Sequence, residues 1–161
     1  MAKLRIKNVV ETRFISDITE LDPFQVKFRQ ARTRETTSRE ELFADLSQVV
    51  HEDNRIVEFK TARNSFEIYA REVFSTFAGC DLVNGDTNKP FFTFRDDGLL
   101  GPTLNMSEAE FNEVWGALPV EVTMAIHEAC IDVNPFWDVA KRQERASAII
   151  SKELAKPSEA T

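Results

Sequence analysis

His127 and Cys130 stand three residues apart in a stretch of helical periodicity, a spacing at which a thiol and an imidazole share one helix face. Nucleophilic catalysis by such a pair requires mutual hydrogen-bond reach and a third group to orient the base. Here the neighbouring stripe is Val122, Ala125, Ile126, Ala129 and Val133, all apolar, so a histidine at the edge of the core beside a buried thiol is expected instead. The only other histidine is His51, and neither HExxH nor a CxxC pair occurs, so no metal site is expected. Residues 81–86 are rich in Asp and Asn. A calcium loop starting at Asp81 would place Val83 where an oxygen ligand belongs and Asp86 where glycine belongs, so a polar turn at Asn84-Gly85 is expected. Asp96-Asp97 before Gly98 likewise reads as a turn rather than an acid–base pair. GxGxxG and GxxxxGK[ST] are both absent. The expectation is a protein that is not an enzyme, with no catalytic residue and no cofactor.

These residues sit on elements that the periodicity outlines. Phe24, Val26 and Phe28 alternate with Gln25, Lys27 and Arg29, the pattern of a half-buried strand with a basic face. Leu4, Ile6 and Val9 alternate more weakly. Thr33 to Thr37 reads as a polar loop. Three sets of residues have the form of capping boxes: Ser38 with Glu41, Asn64 with Glu67, and Ser107 with Glu110. The first opens a helix through Leu42, Phe43, Leu46, Val49 and Val50. Residues 55–63 suit a strand or the approach to the next helix. The second box opens a helix through Phe66, Ile68, Tyr69, Val73, Phe74 and Phe77 that stops at Gly79. Phe91 to Phe94 reads as a short apolar strand.

The third box opens a pair of helices. Phe111, Val114, Trp115 and Leu118 form the first stripe, Leu118-Pro119 the junction, and Asn134-Pro135 the stop. Residues 139–154 suit a last helix. The fold expected is α+β: a mainly helical single domain over 1–156 with about four main helices, a small N-terminal β element, a hairpin-like segment near 81–100 and a frayed tail at 157–161.

Thirteen phenylalanines against one tyrosine imply a core packed on rings that need no hydrogen-bond partner. Cys80 and Cys130 are expected as free thiols. The start has no apolar segment of signal-peptide form, and no window approaches the roughly 20 apolar residues of a membrane span. A cytoplasmic protein is therefore expected, with no membrane partner. The net charge of −7 is unevenly spread. Residues 1–34 carry eight Lys/Arg against four Asp/Glu, whereas residues 35–138 carry seven against twenty. The acidic body argues against nucleic-acid binding. The basic start can pair with that body or with an acidic partner. What remains for function is a surface that grips another protein. Its candidate residues are the aromatics Trp115, Phe136 and Trp137 and the acidic face of Glu108, Glu110 and Glu113.

The order of these segments is PFQVKFRQA, REELFADLSQVV, FEIYAREVFSTFAGCDLV, KPFFTF and EAEFNEVWGALPVEVTMAIHEACIDVNPFW. It resembles the tail assembly chaperones of long-tailed bacteriophages (siphoviruses). The likeness spans about residues 20–140 and lies in the order of elements more than in identities. It rests chiefly on the run of aromatic, Trp, Leu-Pro, Val and Asn-Pro. Such a resemblance implies a non-enzymatic protein of the host cell cytoplasm. It would coat the helix-rich tape measure protein and assist polymerisation of the tail-tube protein, and such proteins often also occur in a frameshifted longer form; self-association of this chain is a separate expectation. The alternatives are a structural virion protein of the tail or head–tail connector, or a helical interaction adaptor.

Overall fold

The computed structural model describes residues 2–4, 9–46, 49–52, 55–59 and 62–138. The helix expected over 139–154, the tail beyond it and the end of the domain lie outside these residues. Within them the fold is α+β, as expected: four α-helices with small antiparallel sheets.

The strand expected at Phe24 is the centre of the main sheet. β1 (Val10–Ile15) and β2 (Phe24–Arg29) pair antiparallel, with Ile15 opposite Phe24 and Val10 opposite Arg29. Phe24, Val26 and Phe28 are buried and Lys27 is exposed, so period-2 alternation sorts the faces. The helix α1 (Thr33–Leu46) follows. It starts five residues before Ser38, so residues 33–37 are helical and not a loop. Glu35 explains the earlier start: its Oε2 accepts from the Arg32 N–H at 2.8 Å, a carboxylate on the first turn satisfying a backbone donor there. Ser38 is therefore no cap, and its Oγ instead accepts from Arg71 Nη1 at 3.0 Å.

Val49 and Val50 do not extend that helix. They lie in β3 (Val49–Glu52), paired antiparallel with β4 (Arg55–Phe59), a hairpin that suits their β-branched side chains. The helix α2 (Ala62–Thr76) begins two residues before Asn64 and ends three before Gly79. The chain passes directly into β5 (Phe77–Cys80), which pairs antiparallel with the free side of β2. Cross-strand pairing overrides the helical periodicity of Phe77. Gly79 has a sheet role: a Cβ there would sit 3.1 Å from Lys27 Cδ, so the missing side chain lets the lysine stem lie across β5.

Asn84 closes the expected turn by accepting from the Asp86 N–H at 2.8 Å. The next hairpin begins later than the aromatic run suggests. β6 (Phe94–Asp97) pairs antiparallel with β7 (Gly101–Leu104), whereas Phe91 and Phe92 precede it and Phe92 is buried. Asp96 and Asp97 are strand residues, and Asp97 Oδ1 accepts from the N–H groups of Leu99 and Leu100 across the turn. These bonds hold its carboxyl below the usual carboxylate range. Gly101 supplies the positive φ of 78° with which β7 starts.

The final helices follow expectation. Ser107 caps α3 (Glu108–Ala117), accepting from the Glu110 N–H at 3.2 Å, and Leu118-Pro119 leads into α4 (Val120–Val133). A 3-10 turn over Pro135–Trp137 ends the described chain. The core is a run of rings: Phe28 stacks on Phe77 at 5.0 Å, Phe77 meets Phe92 and Phe94, and Phe92 meets Phe111. Buried Asn134 ties its two halves, accepting from the Ala31 N–H at 2.6 Å and donating to the carbonyls of Arg29 and Cys130.

Candidate functional site

Of the potentially reactive groups, Cys130 and His127 are buried and Cys80 is half-buried. Cys130 is fully buried on α4, its Sγ 3.4 Å from Thr76 Oγ1, and burial raises the thiol well above its ordinary pKa. Burial also pushes the Cys80 thiol up to about 12. His127 turns to Glu72 and not to Cys130, with Nε2 3.4 Å from Oε1, and it stacks on Tyr69 with ring centroids 4.0 Å apart. The Cys–His pair is not formed. Among the described residues, no group of three or more His, Cys, Asp or Glu could hold a metal ion. No described helix is long and apolar enough to cross a membrane.

Glu72 belongs to a buried polar seam joining α1, α2 and α4. Its Oε2 lies 3.3 Å from Arg39 Nε, close enough for charge attraction but not aligned as a hydrogen bond. Arg39 Nη2 donates to the Trp137 carbonyl at 3.2 Å, and its guanidinium lies 5.8 Å from the centre of the Trp137 ring. Trp137 Nε1 donates to Thr36 Oγ1 at 3.2 Å. Trp137 is 2% exposed, which corrects its reading as a partner anchor: the 3-10 turn folds its ring back onto α1.

The remaining candidates divide. Phe136 points out, 58% exposed, beside buried Trp137. Glu110 and Glu113 are exposed on α3. Trp115 and Glu108 meet at a groove of about 580 Å³ between the first turns of α2 and α4 and the length of α3. Ala70, Trp115 and Leu118 line it, and Leu42 reaches it from α1. Phe66 and Val120 stand at its lip, 57% and 65% exposed. Glu67 and Glu108 add negative charge, with Glu108 held by Arg71 at 2.7 Å. The groove is thus apolar, ringed partly by acid, and open.

Sequence reasoning found Trp115 and Glu108, placed Phe66 in the apolar stripe of the second helix and did not single out Val120. The signal for Val120 was its place directly after Pro119, at the start of α4, where a first-turn side chain has no preceding turn to pack on. Phe66 gave none, because its stripe on α2 also contains Tyr69 and Val73, which turn inward.

No protein-family model matches this chain, and neither a curated protein nor a solved structure matches it.

Proposed function

We propose that this chain is a non-enzymatic tail assembly chaperone of a long-tailed bacteriophage, which holds an amphipathic helix of the tape measure protein in the groove between α2, α3 and α4. The observation that carries the reading is the groove itself. Phe66 and Val120 expose apolar surface beside the half-buried Trp115, an arrangement that suits the apolar stripe of a helix laid along it. Glu67 and Glu108 line the groove and favour a partner whose flanks are basic, whereas Glu110 and Glu113 lie outside its lining. The burial of Cys130 and His127 and the partial burial of Cys80 fit a role in binding better than one in turnover.

Co-expression with the tape measure protein tests the proposal. The wild-type chain is expected to keep the tape measure protein soluble and to co-purify with it. Phe66→Asp together with Val120→Asp is expected to abolish co-purification while leaving the circular dichroism spectrum unchanged. A wild-type chain that neither binds nor solubilises the tape measure protein sinks the reading. An assembly chaperone should also be scarce in purified virions by mass spectrometry, whereas a structural tail or connector protein would be present in fixed copy number.

A further inference from the structure

Gly116 lies inside α3, where the fold gives no reason for a glycine. Its φ is not positive, so the backbone there suits any residue. Among the described residues nothing lies within 4 Å of a Cβ built at Gly116, so packing does not exclude a side chain either. The contrast is Gly79, where a Cβ would press on the Lys27 stem at 3.1 Å and the sheet itself explains the residue. Gly85 and Gly98 also have open Cβ positions, but both lie in turns. A glycine within a helix weakens it relative to alanine, because ordering its backbone costs more entropy. Gly116 therefore lowers the stability of α3 and returns nothing to its packing.

Its position supplies a reason. Gly116 lines the groove between α2, α3 and α4. From α3 the lining takes Glu108, Asn112, Trp115 and Gly116, the i, i+4, i+7 and i+8 spacing of one helix face. Along that face a carboxylate is followed by an amide, then by a ring, then by bare backbone. The chain neighbours of the bare position within the lining are apolar: Trp115, Leu118 and Val120. Trp115 stacks on buried Phe111 with ring centroids 5.5 Å apart, which holds its indole as a fixed wall. The missing side chain thus leaves an apolar notch beside Trp115. A groove of about 580 Å³ is filled by side chains and not by backbone alone.

We propose that Gly116 is a specificity-determining residue of the groove: the space it leaves receives a large apolar side chain, of leucine or phenylalanine size, from the bound helix. The proposal rests on the reading of the groove given above. It adds a requirement on the partner, whose apolar stripe must carry a bulky residue where it crosses α3. A Cβ at position 116 would occupy part of the notch, and a close-packed contact accommodates an added methyl poorly.

Urea unfolding and a binding competition together test this. In the competition, differently tagged wild-type and variant chains are co-expressed with the tape measure protein, and their ratio in the purified complex is read by mass spectrometry. Gly116→Ala is expected to raise the urea midpoint and yet to be bound about tenfold less than the wild type. Gly116→Leu is expected to be absent from the complex while its circular dichroism spectrum is unchanged. Gly85→Ala, in a turn away from the groove, is expected to compete equally. A lower urea midpoint for Gly116→Ala would show that the fold itself needs the gap, and overturns the proposal. Equal competition by Gly116→Ala and Gly116→Leu also overturns it; if Phe66→Asp with Val120→Asp still abolishes binding, the groove reading survives that result. A wild-type chain that does not bind the tape measure protein overturns both.

Discussion

α2 and α4 each face two interiors of opposite character. Towards the sheet they close over Phe28, Phe77, Phe92 and Phe111, all buried and in ring contact. Towards α1 they close over Arg39, Glu72 and His127, also buried but ionic. The aromatic interior is held by dispersion and loss of water contact, which tolerate small shifts of each ring. The ionic seam is held by geometry, and part of it is unsatisfied: Arg39 Nε and Glu72 Oε2 attract without forming a hydrogen bond. Burial by itself therefore says little about contribution. One interior stabilises through every atom it hides, whereas the other recovers a desolvation cost only while all its partners are present.

Substitutions can separate the two kinds of interior. The largest loss is expected for Phe77→Ala, which empties a site touched by three other phenylalanines and should cost about 3–5 kcal/mol in urea unfolding. Glu72→Ala leaves the buried Arg39 guanidinium with only the half-exposed Glu40, 2.9 Å from its Nη1, as carboxylate partner and should cost roughly 3 kcal/mol. The sharper experiment is the pair Arg39→Met with Glu72→Leu, which should recover most of that loss. If the pair is no more stable than Glu72→Ala, the ionic seam contributes net stability and the contrast fails. Asn134→Ala removes three hydrogen bonds, two of which join the end of β2 to the end of α4, for a loss of about 2 kcal/mol. Ser107→Ala, at an exposed cap, should cost only about 1 kcal/mol. Finally, both cysteine thiols should react slowly with a disulfide reagent at neutral pH and rapidly after denaturation, because burial raises both in the folded chain. Rapid labelling of native Cys130 would show that the interior beside the seam opens.

The same contrast explains what was legible in the sequence. Phe24, Val26 and Phe28 announce their strand because alternation is a local record of which face is wet. Ser107 and Pro119 announce helix starts because capping and a fixed φ act within one turn. Gly79 and the valines at 49 and 50 misled for the opposite reason: their conformations are set by strand partners, not by the residues beside them. The seam was invisible because Arg39 meets Glu72 and Trp137 across 33 and 98 positions. Of the candidate surface, Trp115 and Glu108 could be read from the third helix pair. Trp137 could not be distinguished from them until its indole was seen to donate to Thr36.

The passage from α2 into β5 without an intervening loop has a mechanical consequence. Thr76 is the last residue of the helix and Phe77 the first of the strand, so no slack separates them. The helix carries the groove lip at Phe66 near one end and is bonded to the central sheet at the other. It is therefore a lever without a hinge. A load applied by a ligand at the lip is transmitted as torque to the β2–β5 pairing and the rings stacked beneath it, and cannot be absorbed by loop motion at that joint.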